Sequence, residues 1–271
     1  MKFKSHLLLF GACTGLVLAG QVLFGDSPAF SPYQGGRAVK DVPQKGPIVL
    51  ELFTSQSCSS CPPADLILED LAQRPNIITL SCHVTYWNHL SWKDTLSHEF
   101  CTERQNEYSR ARGSQSRFTP ELVVNGHESV IGSKSYAIAN ALREYNGTLT
   151  EISIHRQNDS YEILVPFPSG IKADDITAQI IYFGHDQTVS MGHGENSGLQ
   201  VTYTNPVMQI SELPFEIHSS TGTKIQAHIN QEKLPEEAKG FAVLVYTKKI
   251  LPLSMIAAGQ YLLSQDSTKP L

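Results

Sequence analysis

Cys58-Ser59-Ser60-Cys61 directly follows the apolar run Ile48-Val49-Leu50-Glu51-Leu52-Phe53. The run predicts a buried strand, and two thiols three positions apart can close a small disulfide ring. If a helix begins at the motif, its N-terminal dipole stabilises a thiolate there and lowers a cysteine pKa. Because the thiolate is the nucleophile of disulfide exchange, the order of strand, Cys-x-x-Cys and helix indicates a redox site.

A helix is expected directly after the two cysteines. Apolar side chains recur at helical spacing at Leu66, Ile67, Leu71 and Ala72. Pro62 and Pro63 have no backbone N–H, so they fit only the first turn of a helix. The helix is therefore predicted to begin around residues 60–62, with Ser60 as its N-cap.

The segments that follow alternate between strands and helices as far as Gly147. Strands are predicted at 77–84, 121–124 and 128–131, and helices at 99–112 and 136–145. Asn125-Gly126 predicts a hairpin turn between the last two strands. Residues 47–147 are thus interpreted as an α/β domain with the order β-α-β-α-β-β-α.

The pattern changes after Gly147, where six segments alternate in polarity or are rich in β-branched residues. They cover 149–155, 161–167, 176–183, 199–203, 224–229 and 241–246. With turn residues between them and no clear helix, they predict a β-rich C-terminal domain at 148–271, built as an antiparallel sheet or a small sandwich.

The composition is that of a folded protein. A chain of 271 residues is long enough for one or two domains. Its apolar fraction of 41% and charged fraction of 17% allow a buried core and argue against disorder. The formal net charge of -5 argues against nucleic acid or an anionic membrane surface as the main partner.

The N-terminus has the pattern of an export signal. Lys2 and Lys4 precede an apolar stretch at 7–24, and Ser27-Pro28-Ala29 then offers small residues to a signal peptidase. We expect a signal peptide at 1–29, a linker at 30–46, and a periplasmic or secreted mature protein. The alternative is an uncleaved segment that anchors the protein, because the stretch approaches the length of a membrane span; membrane contact is expected only then.

Four cysteines remain when Cys13 is removed with the signal peptide, and four cysteines allow three pairings. Cys58 with Cys61 is the natural pair. Cys82 and Cys101 are then left over. They can form a second disulfide, which an extracytoplasmic compartment permits, or remain as two buried free thiols.

The order of elements, with Cys-x-x-Cys after the first strand and Thr119-Pro120 before the third, resembles the thioredoxin fold. In that fold a cis-proline loop faces the dithiol, and Thr119-Pro120 resembles that loop. The resemblance therefore implies an α/β thioredoxin-like domain followed by the β-rich domain. It also implies a cis peptide bond before Pro120, although most X-Pro bonds are trans.

Several longer blocks share a more specific pattern. They are Glu51-Leu52-Phe53-Thr54-Ser55-Gln56 with Cys58-Ser59-Ser60-Cys61-Pro62-Pro63-Ala64-Asp65, His83-Val84-Thr85-Tyr86-Trp87 with Trp92-Lys93-Asp94, Arg104-Gln105 with Tyr108, Thr119-Pro120-Glu121-Leu122-Val123-Val124-Asn125-Gly126, and Gly194-Glu195-Asn196 with Gly198 and Thr202-Tyr203-Thr204-Asn205. Together they resemble a secreted bacterial thioredoxin-like family, the domain of unknown function DUF1223. Thr85 and Glu121 depart from its pattern, where an aspartate and a glutamine are expected. The family brings no established reaction.

Each candidate site residue has an expected role. Cys58, nearer to solvent in the loop, is the expected attacking thiolate, and Cys61 would resolve the mixed disulfide. Pro120 would keep the facing backbone from donating a competing bond, and Thr119 would present its main chain to an extended substrate. The hydroxyls of Ser59-Ser60 can stabilise the Cys58 thiolate.

Three aromatic residues are candidates for the wall of a substrate groove. They are Tyr86, Trp87 and Trp92, which lie in an irregular segment after the second predicted strand. Anchoring of that segment in the core is the alternative interpretation of the same residues.

These features predict an exported thiol–disulfide oxidoreductase that acts on protein thiols or disulfides with a redox partner. No cofactor and no metal are expected, and the direction of electron flow stays open. A purely structural disulfide is one alternative. Another is a non-enzymatic thioredoxin-like module for copper handling or partner binding, because thiolates suit Cu(I) and His83 ends the neighbouring strand.

Overall fold

The computed structural model describes residues 45–166, 173–218, 224–247 and 254–263. The predicted signal peptide and nearly all of the predicted linker lie outside these residues. Among the described residues the strands are β1 Ile48–Thr54, β2 Ile77–His83, β3 Glu121–Val124, β4 Glu128–Ile131, β5 Thr150–Glu151, β6 Ser153–Gln157, β7 Ser160–Pro166, β8 Ile176–Gly184, β9 Gln187–Ser190, β10 Gln200–Tyr203, β11 Val207–Glu212, β12 Glu216–His218, β13 Lys224–Asn230, β14 Ala238–Thr247 and β15 Ser254–Leu262. The helices are α1 Pro62–Ala72, α2 Glu99–Ala111 and α3 Ser135–Glu144. None of these helices has the length and apolarity needed to cross a bilayer.

The fold class expected from the sequence, an α/β thioredoxin-like domain followed by a β-rich domain, is wrong. The described residues are mainly β-structure, with three helices and several mixed and antiparallel sheets. The described residues do not form a separate α/β domain, because one face of the first sheet packs against strands from the second half. The domain boundary near Gly147 stays a prediction.

The first sheet has the strand order β2-β1-β3-β4. Strand β1 pairs in parallel with β2 and antiparallel with β3. Successive side chains of a strand point to opposite faces. On one face, Leu50 and Leu52 belong to the core cluster that contains helices α1 and α3. On the other face, Val49 and Phe53 belong to a cluster that continues into β8 and β14. The first sheet is therefore buried on both sides.

The described residues of the second half form two larger sheets and a small one. Their strand orders are β11-β8-β14-β15-β5, β12-β13-β7-β6 and β10-β9. The five-stranded sheet is mixed, because β5 pairs in parallel with β15. Residues of the five- and four-stranded sheets share a second apolar core, which includes Ile163, Ile180 and Phe241. The six segments predicted from the sequence correspond to only part of these eleven strands.

A buried ion pair joins the first sheet to helix α2 and to the larger sheet. Arg104 binds the Glu51 carboxylate through two nitrogens, and it donates further bonds to Gln179 at 2.9 Å and to the hydroxyls of Tyr108 and Tyr246. Burial by itself would lower the pKa of Arg104, but the Glu51 charge raises it well above its usual value. The guanidinium therefore stays charged, and its donors connect helix α2 to β1, β8 and β14.

Candidate functional site

The two cysteines of the motif form a disulfide at the start of helix α1, with a Cα–Cα distance of 5.4 Å. The chain leaves β1 at Thr54 and turns twice, with the Cys58 N–H bonded to the Ser55 carbonyl and the Cys61 N–H to the Cys58 carbonyl. Pro62 occupies the first helical position as expected, and Cys61 is the N-cap. The prediction of Ser60 as the N-cap is wrong, because a proline at the first helical position makes its predecessor the cap.

The disulfide is largely shielded from solvent. Cys58 keeps 2% of its surface exposed and Cys61 keeps none. The Ser60 hydroxyl lies 3.4 Å from the Cys58 sulfur, so it can donate to a thiolate at that position. Of the two cysteines, only Cys58 keeps any exposed surface.

The Thr119-Pro120 segment faces the motif. Its peptide bond is cis, as expected. The Ser60 hydroxyl donates to the Thr119 carbonyl at 3.4 Å, and Trp87 Nε1 donates to the Thr119 hydroxyl at 2.8 Å. Gly132 packs closely against this segment, because a Cβ at position 132 would lie 3.3 Å from the Pro120 Cβ. Thr119 is thus bonded both to Ser60 of the dithiol loop and to Trp87.

The three aromatic candidates lie at different places around this loop. Trp87 and Tyr86 are half-buried on the side of Thr119, with the Tyr86 ring 4.8 Å from the Arg117 guanidinium. Trp92 is on the side of Ser57, and its Nε1 donates to Gln56 Oε1 at 3.0 Å. Trp92 also lines a cavity of about 260 Å³ together with Ser57, Leu90, Ser91, Gly194 and Glu195.

Asn196 is a site residue that the sequence analysis did not single out. Its buried side-chain amide donates to the carbonyls of Gln56 and Cys58, at 2.8 and 3.0 Å. Gly194 and Gly198 flank it with positive φ angles of 87° and 82°, which glycine adopts without steric cost. The loop of the second half therefore holds the dithiol loop directly. The only signal in the sequence was the Gly194-Glu195-Asn196 block of the family resemblance.

A buried polar cluster lies beneath the start of α1, and its members are Thr54, Asp65, His83, Asp94 and Tyr203. The Thr54 hydroxyl donates to Asp65 at 3.2 Å. His83 Nδ1 lies 2.8 Å from Asp94 Oδ2, and the His83 and Tyr203 rings are 4.6 Å apart. The cluster combines side chains from both halves of the chain.

The two carboxyl groups of this cluster have opposite environments. Burial raises the pKa of Asp65 well above its usual value; the Thr54 bond offsets this in part, and the Asp94 charge adds to it. Burial also acts to raise the pKa of Asp94, but His83 and the backbone N–H groups of Gln56 and Leu96 lower it overall. Compared with an exposed aspartate, the environment therefore shifts Asp94 towards its charged form and Asp65 towards its protonated form.

The structure does not group His83 with the two cysteines at a metal site. The His83 Nδ1 is bonded to Asp94. Within the part of the chain that the structure describes, no group of three or more His, Cys, Asp or Glu side chains is placed to hold a metal ion.

The remaining pair, Cys82 and Cys101, forms a second disulfide with a Cα–Cα distance of 5.3 Å. It joins β2 to α2, and both residues are buried. Of the two alternatives, the structure has the disulfide and not the free thiols. The two disulfides differ in setting, because Cys82–Cys101 lies inside an apolar core cluster.

The two departures from the family pattern are both part of hydrogen-bond networks. Glu121 is buried, accepts from Gln105 at 2.7 Å and from Ser129 at 2.5 Å, and is paired with Arg112. The Thr85 hydroxyl donates to Glu99, and its backbone N–H donates to Thr102. The extra negative charge of Glu121 is thus neutralised by a guanidinium.

Comparison with known proteins gives a family but no activity. The model of the family described as "Protein of unknown function (DUF1223)" matches residues 49–246. Protein AGR_C_4864 from Agrobacterium tumefaciens is 28% identical, with 84% of this chain and 100% of that chain covered and a TM-score of 0.68. HBP35 of Porphyromonas gingivalis is 13% identical, with 85% and 80% covered and a TM-score of 0.56, which is a likeness of fold alone. No curated protein matches the chain.

Proposed function

Since the chain belongs to the DUF1223 family, whose description names no function, we propose from the site itself that the protein exchanges disulfides with protein thiols. The observation that carries the proposal is the Cys58–Cys61 disulfide at the N-terminus of α1, with Cys58 as the less buried of its two members. A helix N-terminus stabilises the thiolate that exchange needs. We further propose that the protein acts in the periplasm or outside the cell.

Exchange at this site takes two steps in the oxidising direction. A substrate thiolate attacks the Cys58 sulfur, the Cys58–Cys61 bond breaks, and its electron pair stays on Cys61 as a thiolate. A second substrate thiolate then attacks the substrate sulfur of the mixed disulfide and releases Cys58 as a thiolate. The substrate loses two electrons and gains a disulfide, the protein gains the two electrons, and a redox partner returns it to the disulfide form. The reducing direction is the reverse.

The surface around the facing loop suits an extended polypeptide. Thr119 lies beside the dithiol loop, and next to it Phe118 is 39% exposed. Ile131, the register partner of Glu121, is 46% exposed. We propose that the substrate main chain lies along Thr119 and that these apolar side chains contact its side chains.

Trapping of the mixed disulfide tests this function with a defined substrate. In the variant Cys61→Ser the resolving thiol is gone, so the Cys58 thiolate attacks a disulfide of native insulin, one insulin sulfur leaves as a thiolate, and Cys58 stays bonded to the other. We expect an adduct of protein and one insulin chain by mass spectrometry under non-reducing conditions, and its loss on adding dithiothreitol. The double variant Cys58→Ser/Cys61→Ser is the control. If Cys61→Ser forms no more adduct than this control, the proposed function is wrong.

A further inference from the structure

The cavity of about 260 Å³ that Trp92 lines, called the Trp92 cavity below, is not used by the exchange steps above. Three chain segments form its lining: Ser57 of the dithiol loop, residues 90–92 after β2, and residues 194–195 after β9. Pockets for drug-sized molecules usually exceed about 300 Å³, so this cavity suits a single side chain. Because Ser57 directly precedes Cys58, that side chain would belong to a residue near the substrate cysteine.

Direct bonds fix the walls of the Trp92 cavity relative to Cys58. The Asn196 amide donates to the Cys58 carbonyl at 3.0 Å, which ties the 194–195 segment to the dithiol loop. The Ser57 hydroxyl donates to the Trp92 carbonyl and so ties the 90–92 segment to the same loop. Both outer walls are therefore anchored to the residues on either side of the Ser57–Cys58 peptide bond.

The lining combines an apolar surface with groups that accept hydrogen bonds. Leu90 and the Trp92 ring supply the apolar part. The Ser57 hydroxyl uses its hydrogen in the bond to the Trp92 carbonyl, so its lone pairs remain for a ligand. The Glu195 carboxylate can only accept, and among the described residues it has no hydrogen-bond or ion-pair partner. Such a lining suits a ligand with an apolar stem and a positively charged donor at its end.

Within the described part of the chain, no basic side chain lines the Trp92 cavity to neutralise Glu195. Lys93 follows Trp92 in the sequence, but it is exposed and is not part of the lining. The His193 Nε2 donates to the Ser91 carbonyl at 3.0 Å, and its ring packs edge-on against Trp92 at 4.9 Å. The charge of Glu195 is therefore left for a cation that the substrate brings.

We propose that the Trp92 cavity binds a lysine or arginine side chain of the substrate polypeptide, close in sequence to the substrate cysteine. This inference rests on the proposed function. The methylene stem of the side chain lies along Leu90 and Trp92 and buries apolar surface there, while its cationic head reaches Glu195. A cation near a tryptophan ring gains further attraction. An extended chain advances about 3.3 Å per residue, so the basic residue lies within about three residues of the cysteine.

Peptides that differ only in the position of one lysine test the proposal. Each has a single cysteine, blocked as a disulfide with a coloured aromatic thiol. The Cys58 thiolate of the reduced protein attacks the peptide sulfur and forms a disulfide with it. The coloured thiol then leaves with the electron pair of the broken bond. We expect a lysine within about three residues of the cysteine to speed release of the colour about tenfold over an isomer with a distant lysine. The isomers have equal net charge, so general attraction to the acidic protein cancels.

Variants of Glu195 show whether its carboxylate causes the preference. Glu195→Gln should reduce the preference for the near lysine to about threefold, because only the contact with the Trp92 ring remains. Glu195→Lys should reverse the preference, so that a peptide with glutamate at the near position reacts faster than the lysine peptide. Glu212→Gln removes an exposed charge at the end of β11 and is the control, which should keep the full preference. Each preference is a ratio of two rates on one protein, so a partial loss of folding cancels.

The outcomes separate this inference from the function on which it rests. If the wild type releases the colour no faster than Cys58→Ser/Cys61→Ser with every peptide, the proposed function fails. If the wild type reacts but the position of the lysine does not change its rate, only the inference fails. It is also overturned if Glu195→Gln keeps the full preference, or if a leucine at the near position speeds the reaction as much as the lysine does.

Discussion

Replacing Arg104 with methionine is expected to destabilise the protein by about 3–5 kcal/mol, because it leaves the buried Glu51 carboxylate without its counter-charge. Both side chains are nearly inaccessible to solvent, at 3% and 2% exposure. The change also removes donors to Gln179 on β8 and to the hydroxyl of Tyr246 on β14. The free energy of unfolding from denaturant titration, followed by far-UV circular dichroism, measures the effect.

Two further variants show whether the missing counter-charge is the cause. Arg110→Met removes an exposed charge from the same helix and should change the free energy of unfolding by less than about 0.5 kcal/mol. The double variant Glu51→Gln/Arg104→Met carries neither charge of this pair and should recover a large part of the loss. If adding Glu51→Gln to Arg104→Met lowers the free energy of unfolding still further, the unpaired Glu51 charge is not the cause of the loss.

Replacing Cys58 with serine is expected to reduce catalysed disulfide exchange to the uncatalysed rate. Cys58 is the less buried of the two cysteines and the proposed point of attack, and serine cannot form the mixed disulfide through which exchange proceeds. Reduction of insulin and oxidative refolding of a reduced protein measure the two directions. Equal rates for the wild type and Cys58→Ser in both assays would contradict the assigned role.

The second disulfide provides a matched control for loss of a disulfide as such. Cys82→Ser/Cys101→Ser removes a buried bridge of sequence separation 19 and should lower the free energy of unfolding by about 2–4 kcal/mol. At a temperature where this variant is still folded, its exchange rate should equal that of the wild type. Loss of exchange in this folded variant would show that activity does not depend on Cys58 and Cys61 alone.

Local features of the site could be predicted from the sequence because short segments encode them. The bounds of β3 and β4 are those expected from the Asn125-Gly126 turn. The helix after the motif begins at Pro62 because proline is restricted to the first turn. The disulfide of the motif, at the junction of strand and helix, follows from the same local pattern.

Features that depend on contacts distant in sequence could not be predicted. Asn196 holds the dithiol loop from 138 residues away, and Tyr203 reaches His83 across a similar span. No periodicity of single segments encodes such pairings. The same limit explains the wrong fold class, because the residues of β8 and β14 that complete the core on Phe53 could be read only as strands of another domain.

Some strands of the second half were missed for local reasons. Strand β11 contains a bulge between Val207 and Gln209 and is largely half-exposed, which weakens the alternation of polarity. Strand β15 contains Ala257, Ala258 and Gly259, residues that are depleted in strands. Gly259 lies so close to β5 and β6 that an added Cβ would be 2.7 Å from the Ile152 carbonyl oxygen. At position 259 the close approach of the neighbouring backbone therefore favours glycine, although glycine has a low strand propensity.

The most direct test of an exchange function is the reduction potential of Cys58–Cys61, measured beside that of Cys82–Cys101 in the same protein. Equilibration in a series of thiol–disulfide buffers, followed by alkylation and peptide mass spectrometry, gives both values. We expect the reduction potential of Cys58–Cys61 to lie above about -300 mV, in the range of disulfides that exchange, and that of the buried Cys82–Cys101 to lie below about -300 mV. If the reduction potentials of both disulfides lie below about -300 mV, Cys58–Cys61 is a structural bridge and the proposed function is contradicted.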